Sequence, residues 1–244
     1  NKSFLDPSCG SGTFLFNTII RFAKYDKSVF KKIYGIDLNP VSVLAAKANY
    51  LILYVKHMGN QDHLNLSIPI FYADTIQSKF TTSNDLFSNH SENDFEEISI
   101  PKVDYVIGNP PWVNWEYLPN EYREKTKFIW QHYSLFSQKG INAGFIKEDI
   151  SVLFTYVVAD KFLKDNGNLI FVVKETLFKS VKQGEGFRRF KIVPTKTPLN
   201  PYLVEDLSLF KPFNGAVNRT AIVYLKKGEE LNFPVNYLEW QPLN

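Results

Sequence analysis

The sequence has a single cysteine, Cys9, and a single methionine among its 244 residues. One thiol cannot form an internal disulfide, so a reducing, intracellular setting is expected. No run of about 18 apolar residues occurs and no signal peptide is visible, which argues against a membrane protein. The formal net charge is only +3, so the overall charge gives no argument for nucleic-acid binding.

Histidine is also scarce, with four residues in the whole chain. Their spacing is not that of metal ligands, and a zinc site would need more than one cysteine or a cluster of histidines. No metal site is therefore predicted. The histidines are His57, His63, His90 and His132.

Short apolar runs alternate with helical patterns along the chain. The clearest helices are predicted directly after the first two strands and at 149–165, the last one ending at Asn166-Gly167. This alternation predicts an α/β fold: a seven-stranded, mostly parallel sheet with helices on both faces. The predicted strands lie at 4–5, 33–36, 68–73, 104–108, 169–173, 203–209 and 220–225.

The chain shows no internal repeat and no break in composition that would divide it. Residues 1–227 are predicted to form one domain, which starts inside its first strand as if excised from a longer protein. Residues 81–100 are polar and acidic, without Lys or Arg, and are interpreted as a solvated insertion. The tail at 228–244 is expected to begin a further element.

A glycine-containing turn, Asp6-Pro7-Ser8-Cys9-Gly10-Ser11-Gly12, joins the first strand to a helix. Ligands of open α/β sheets bind beyond the carboxyl ends of the strands, and glycines let the backbone approach them closely. The spacing is neither GxGxxG nor GxxxxGK[ST], which disfavours a dinucleotide or a nucleoside triphosphate. The alternative is a tight turn with a structural role alone.

The next two strands each end in an acid, Asp37 and Asp74. A carboxylate at the end of the second strand is placed to accept hydrogen bonds from both hydroxyls of a ribose. One at the end of the third strand is placed to accept from the exocyclic amine of a purine. Each aspartate could instead be a helix cap or a turn residue.

The fourth strand ends in Asn109-Pro110-Pro111-Trp112. This tetrapeptide, together with Phe4 to Leu15, resembles the amino-group DNA methyltransferases that use S-adenosylmethionine. The similarity is greatest to the N6-adenine enzymes of bacterial restriction–modification and phage-defence systems, and it spans about residues 4–225. It implies a Rossmann-like class I methyltransferase domain over 1–227 in the bacterial cytoplasm, with residues 228–244 as the possible start of a target-recognition region.

The resemblance also implies the roles of individual residues. Asp6, Gly10 and Gly12 would hold the methionine part of the cofactor, Asp37 its ribose, and Asp74 its adenine amine, with Thr75 and Ile76 beside the ring. Further residues of the implied cofactor site are Pro7, Cys9, Phe14, Leu38 and Asn109. No metal takes part.

The tetrapeptide suits a reaction at an amino nitrogen whose lone pair is delocalised into a ring. Asn109 offers a side-chain oxygen and Pro110 a carbonyl oxygen, and two acceptors of this kind localise the lone pair and stabilise the positive charge that develops. Rigid prolines, Pro110 and Pro111, fix both acceptors. Trp112, where the family more often has Tyr or Phe, offers a surface on which a flipped-out base can stack. The resemblance implies adenine as the target, because the similar cytosine-N4 enzymes mostly begin this tetrapeptide with Ser in place of Asn.

Double-stranded DNA with a flipped adenine is therefore the expected substrate, and recognition and nuclease domains are expected elsewhere in the parent chain or complex. A basic cluster beyond the fifth strand is predicted to contact phosphates. Trp115, Tyr117 and Trp130 are candidates for holding the base or closing the pocket, and Phe154 for packing on the cofactor or in the core. The cluster consists of Lys174, Lys179, Lys182, Arg188, Arg189, Lys191 and Lys196.

Two other functions stay open from the sequence alone. One is methylation of RNA or of a glutamine amide in a protein, because related tetrapeptides serve those reactions. The other is a non-catalytic domain that binds cofactor or DNA within a larger defence complex.

Overall fold

A computed structural model describes residues 2–59, 66–78, 98–136, 148–180, 184–210 and 218–242. The chain divides into two compact units, Asn1–Gly108 and Asn109–Asn244. The acidic insertion predicted at 81–100 lies, up to residue 97, outside the described residues.

The described part of unit 1 has four parallel strands in the order β3-β2-β1-β4. The strands are β1 (Phe4–Asp6), β2 (Ile33–Asp37), β3 (Ile70–Tyr72) and β4 (Val103–Gly108). Two helices, α1 (Thr13–Phe22) and α2 (Pro40–Met58), follow β1 and β2. All four strands end at one edge, where the glycine turn begins.

The start of α2 is as the sequence predicts. The Asn39 side chain accepts hydrogen bonds from the amides of Val41 and Ser42 at 2.9 and 3.3 Å, which satisfies donors that the first helical turn leaves free. Pro40 occupies the first helical position, where its missing N–H costs nothing. Asp37 is thereby held directly before a well-defined helix end.

Apolar side chains from β1, β2 and β4 form the centre of unit 1. Leu5, Ile36 and Val106 are completely buried. Tyr50 of α2 is also buried, and its hydroxyl donates to the carbonyl of Phe30 at 2.7 Å. This core fixes the strand ends that carry the predicted site residues.

The described residues of unit 2 form five strands and three α-helices. Strands β5 to β8 run in the order β5-β8-β7-β6 with antiparallel pairing, and β9 pairs parallel to β7. The helices are α3 (Asn120–His132), α4 (Ile150–Lys161) and α5 (Thr176–Lys179). The strands are β5 (Leu163–Lys174), β6 (Lys191–Ile192), β7 (Thr197–Asp206), β8 (Thr220–Lys227) and β9 (Asn236–Glu239).

The predicted α/β class is confirmed, but the described residues form nine strands where seven were predicted. The additional strands are β6, which has only two residues, and β9, which is formed by the tail. No helix in the described ranges is long and apolar enough to cross a membrane.

The predicted end of α4 at Asn166-Gly167 is wrong. The helix ends at Lys161, and β5 already begins at Leu163. Helix α4 is buried from Ile150 to Ala159 on every side, so its sequence has no polar face whose loss would mark the end. Asn166 adopts a left-handed conformation (φ 60°) within β5, before pairing with β8 starts at Asn168.

Candidate active site

The glycine turn has the backbone geometry that its sequence predicts. Gly10 and Gly12 both have positive φ, 54° and 96°, a region that favours glycine. A side chain at Gly12 would meet the ring of Phe16 at 2.2 Å, whereas a Cβ at Gly10 would have no heavy atom within 4 Å. The backbone at Gly10 therefore borders open space that a ligand could occupy.

Asp37 lies against this turn. Its Oδ2 accepts from the amide of Gly10 at 2.7 Å and its Oδ1 from the amide of Asn39 at 2.8 Å. Both oxygens are thus held in place, and each retains lone-pair capacity for a further donor because a carboxylate offers about four acceptor positions. Unit 1 brings together the acid predicted for ribose hydroxyls and the glycine turn.

Asp6 is the most strongly perturbed acid of the turn. Its side chain is buried, Oδ1 accepts from the amide of Ser8 at 3.1 Å, and Oδ2 has no hydrogen-bond partner. Burial raises the pKa of Asp6 to about 7; the Ser8 hydrogen bond lowers it in part and the charge of Asp37 adds to the rise. A buried acceptor without a partner is suited to a cationic or N–H-bearing ligand.

Gly108, which the sequence analysis did not single out, makes room for this carboxyl group. A Cβ at Gly108 would lie 2.6 Å from Asp6 Oδ1, because β4 pairs beside β1. The available signal was a glycine that ends an apolar strand directly before Asn109. The absence of a side chain at the carboxyl end of β4 therefore leaves space for the Asp6 carboxyl group at the end of β1.

The raised pKa of Asp6 predicts a pH dependence of stability. Between about pH 4 and pH 7 the folded chain retains a proton that the unfolded chain has lost, so this contribution is fully present below pH 4 and disappears as the pH rises through 7. At about 1.4 kcal/mol per pKa unit it amounts to a few kcal/mol at most.

Urea denaturation at several pH values measures this effect, and the free energy of unfolding should fall over the window. Asp6→Asn carries no titrating group and should flatten that part of the curve. A curve of the same slope in the wild type and in Asp6→Asn would contradict the assignment.

The loop after β3 is joined to the glycine turn by Thr75. Its Oγ1 donates to the carbonyl of Pro7 at 2.6 Å, and both Thr75 and Ile76 are buried. Asp74 Oδ1 accepts from the amides of Ile76 and Gln77, and its Oδ2 accepts from the side-chain amide of Gln77 at 2.8 Å. Asp74 therefore has the turn-forming role that the sequence left as an alternative, and a ligand amine would have to share its carboxylate with Gln77.

The remaining predicted cofactor residues differ in exposure. The Cys9 side chain is buried in the core of unit 1, and burial raises the pKa of its thiol, so only its backbone could face a ligand. Pro7 is also buried. Phe14 and Leu38 keep 39% and 53% of their surface exposed. The aromatic side chain beside the turn and the aliphatic side chain beside Asp37 are therefore available to a ligand.

The Asn-Pro-Pro-Trp tetrapeptide opens unit 2. Asn109 is exposed, Pro110 is buried and Trp112 is half-buried. Trp112 Nε1 donates to the carbonyl of Val172 in β5 at 3.3 Å. One end of the tetrapeptide is thus attached to β5.

The residues after the tetrapeptide are attached to the start of α4. The amide of Ile150 donates to the carbonyl of Val113 at 2.8 Å, and the amide of Trp115 donates to the carbonyl of Glu148 at 2.7 Å. These bonds flank an isolated antiparallel bridge between Asn114 and Asp149. The segment from Trp112 to Trp115 is therefore attached both to β5 and to the start of α4.

Two predicted aromatic surfaces are part of the core instead. Trp115 and Trp130 are 4% and 0% exposed, with ring centroids 5.6 Å apart, so neither ring is available to a base. Tyr117 is exposed. Phe154 is buried 6.1 Å from the ring of Phe171, which is the core-packing alternative.

Most members of the predicted phosphate-binding cluster form ion pairs or hydrogen bonds within unit 2. Lys174 pairs with Asp149 at 2.6 Å, and Lys179 pairs with Glu175 and Asp206 at 2.6 and 2.8 Å. The members Arg188 and Arg189 donate to the carbonyls of Leu177 and Ser134. Lys191 and Lys196 are exposed, and Lys182 lies outside the described residues. Four of the seven members therefore have acidic or carbonyl partners within unit 2, and phosphate contact by the cluster stays a prediction.

Comparison with known proteins identifies the family. The model of the Eco57I restriction-modification methylases matches residues 31–202. The chain belongs to this family. The curated relatives of this Eco57I-family chain include the type II methyltransferase M.BanIII of Aneurinibacillus aneurinilyticus, 27% identical over 96% of this chain and 35% of the relative. M.HincII of Haemophilus influenzae is 26% identical over 70% of this chain and 30% of the relative.

The Eco57I-family chain thus spans about a third of the length of these relatives. Among solved structures, a nuclease-deletion mutant of the type ISP restriction-modification enzyme LlaGI has a TM-score of 0.68 and 19% identity over 98% of this chain and 21% of that one. A class I S-adenosylmethionine-dependent methyltransferase from Listeria monocytogenes has a TM-score of 0.61 and 17% identity over 99% of this chain and 59% of that one. These likenesses confirm the predicted class I methyltransferase fold.

The methylase family and this fold imply S-adenosylmethionine as the cofactor, as predicted from the sequence. The residues of the glycine turn fit it: the backbone at Gly10 borders open space, Asp37 is fixed against it, and Asp6 has a buried oxygen without a partner. Within the described ranges no cluster of three or more His, Cys, Asp or Glu could hold a metal ion.

Proposed function

We propose that this chain transfers a methyl group from S-adenosylmethionine to the N6 amino group of an adenine flipped out of DNA, as part of a bacterial restriction–modification or defence system. The observation that carries the proposal is the Asn-Pro-Pro-Trp segment that directly follows β4, with Trp112 hydrogen-bonded to Val172. A bacterial cytoplasmic location follows from the substrate, because that is where the cell's DNA lies.

The cofactor contacts are assigned from unit 1. Asp6 with Gly10 and Gly12 holds the methionine part, where the oxygen of Asp6 without a partner suits a positively charged amino group. Asp37 accepts the ribose hydroxyls, and Asp74 accepts the adenine amine when the side-chain amide of Gln77 gives way. Backbone and side-chain contacts along this path come from Pro7, Cys9, Phe14, Leu38, Thr75 and Ile76.

When bound, the cofactor supplies an electrophilic methyl group. Asn109 Oδ1 and the Pro110 carbonyl accept the two hydrogens of the adenine N6, which localises the nitrogen lone pair and stabilises its positive charge in the transition state. Pro110 and Pro111 restrict the backbone so that the acceptors need little reorganisation. Trp112 provides the stacking surface for the flipped base.

DNA is the proposed partner. The name of the family and those of its curated relatives refer to restriction-modification and type II methyltransferases, and the LlaGI structure contains a DNA substrate mimic. The chain covers about a third of those relatives, so recognition and nuclease elements are proposed to lie elsewhere in the parent chain or complex. Lys191 and Lys196 are exposed members of the basic cluster and are proposed for phosphate contacts.

Parallel assays with labelled S-adenosylmethionine test this assignment against its alternatives. The full-length protein is offered double-stranded DNA, RNA and protein, and incorporation of label into DNA alone is expected. Label in RNA or in a protein glutamine would favour those substrates. Cofactor binding without transfer to any of the three would favour a non-catalytic domain.

A further inference from the structure

We infer that Lys174 and Asp149 form a positioning pair that holds the Asn109–Trp112 tetrapeptide in its catalytic orientation, without contact to base or cofactor. The inference rests on the proposed role of the tetrapeptide. It assigns a task to two charged residues that the proposed reaction otherwise does not use.

Three segments of unit 2 meet around the tetrapeptide in a closed set of contacts. Trp112 bonds to Val172 of β5. The following residues pair with the start of α4, where Asp149 faces Asn114 in the bridge. Lys174, two residues beyond Val172, returns to Asp149 with 2.6 Å between Nζ and Oδ2, so the ion pair joins the other two contacts.

Asp149 serves two segments with its two oxygens. Oδ1 accepts from the amide of Ser151 at 2.9 Å and caps α4. Oδ2 is the atom paired with Lys174. Both carboxylate oxygens of the neighbouring Glu148 accept from the amide of Gly184, at 3.2 and 3.0 Å.

Burial sets the consequence of breaking the pair. The Asp149 side chain is 0% exposed and that of Lys174 is 13% exposed. An ion pair at such a site is a poor source of net stability, since apolar residues of similar size are often as stable, but removal of one partner leaves a buried charge without compensation. Without Lys174, the uncompensated charge of Asp149 would displace the bridge and the attached Trp112 segment.

Displacement of this segment should reduce the rate and spare binding. A shift of about 1 Å in a catalytic group can cost about 100-fold in rate. We therefore expect Lys174→Met and Asp149→Asn each to lower the single-turnover rate of DNA methylation by the full-length protein about 10-fold or more. Affinities for S-adenosylmethionine and for DNA should stay within about twofold, because the variants remove no contact proposed for either.

Two comparisons separate positioning from general destabilisation. Lys174→Arg keeps the charge and should recover most of the rate. Lys227→Met removes another buried lysine, whose Nζ donates to the carbonyls of Asp160 and Leu163 at the opposite end of α4. It should lower the melting temperature at least as much as Lys174→Met, yet leave the rate within about threefold at a temperature where both are folded.

Hydrogen exchange gives a readout that does not need activity. The Trp115 amide is protected by its bond to Glu148, so residues 113–117 should exchange faster in Lys174→Met and Asp149→Asn, and not in Lys227→Met. Faster exchange in a protein that methylates nothing would sink the proposed function and retain the positioning pair.

The opposite results would overturn the inference. These are unchanged exchange and rate in a folded Lys174→Met variant, or equal rate losses in Lys174→Met and Lys227→Met. A further contradicting result is weaker DNA binding with a reduced salt dependence in Lys174→Met alone, which would assign Lys174 to a phosphate contact. The double variant should be no slower than the slower single variant, because both substitutions remove one interaction.

Discussion

Replacement of Asn109 by alanine is expected to lower the rate of methyl transfer about 100-fold or more and to leave cofactor affinity nearly unchanged. The substitution removes one of two acceptors that act on the amino nitrogen as it gains positive charge, and loss of a single preorganised group of this kind costs about 10² to 10³ in rate. Single-turnover methylation by the full-length protein measures the effect, with calorimetry for cofactor binding.

Two further variants make the result specific to this position. Asn109→Ser retains a shorter oxygen acceptor and should fall between the wild type and Asn109→Ala. Asn120→Ala removes an exposed asparagine at the start of α3, whose oxygen accepts from Arg123, and should change the rate less than twofold. Wild-type turnover in Asn109→Ala would remove Asn109 from the mechanism.

Asp37→Ala should weaken S-adenosylmethionine binding by about 1.5–3 kcal/mol, because a charged acceptor for two hydroxyls is lost. By titration calorimetry this corresponds to roughly 10- to 150-fold in the dissociation constant. The same substitution removes the bonds to the amides of Gly10 and Asn39, so part of any loss could arise from a distorted turn.

A cofactor analogue without the ribose hydroxyls separates the two causes. The wild type should bind this analogue more weakly than the cofactor, and Asp37→Ala should then have little additional effect on it. Asp26→Ala is the control, since Asp26 also accepts from a backbone amide two residues on, that of Ser28, but lies in a separate exposed turn. An equal loss for cofactor and analogue would reduce Asp37 to a structural role.

The sequence predicts those parts of the site that depend on local residue patterns. The positive φ values of Gly10 and Gly12 follow from a turn between a strand and a helix, and the cap at Asn39 follows from Asn-Pro before an apolar helix. The proximity of Asp37 to the glycine turn follows from parallel strands ending at one edge. Each of these needs only neighbouring residues or strand order.

The parts that it does not predict depend on register and on distant partners. Gly108 makes room for Asp6 only because of how β4 pairs with β1. Thr75 joins Pro7 across 68 positions of sequence.

The sequence does not predict the ion-pair partners either. Lys174 and Lys179 lie far in sequence from Asp149 and Asp206, which are their partners in the fold. A basic cluster in sequence therefore overstates the positive charge available to DNA. For the same reason nothing in the sequence pattern indicates that Lys174 belongs with the tetrapeptide segment.

The central claim is methyl transfer to the N6 atom of adenine in DNA, and the modified nucleoside identifies the atom directly. DNA treated with the full-length protein and S-adenosylmethionine is digested to nucleosides and analysed by mass spectrometry against standards. The account predicts N6-methyldeoxyadenosine, at a level about 100-fold or more lower in reactions with Asn109→Ala over the same short incubation. N4-methyldeoxycytidine as the only product, or unmodified DNA beside methylated RNA or protein, would contradict it.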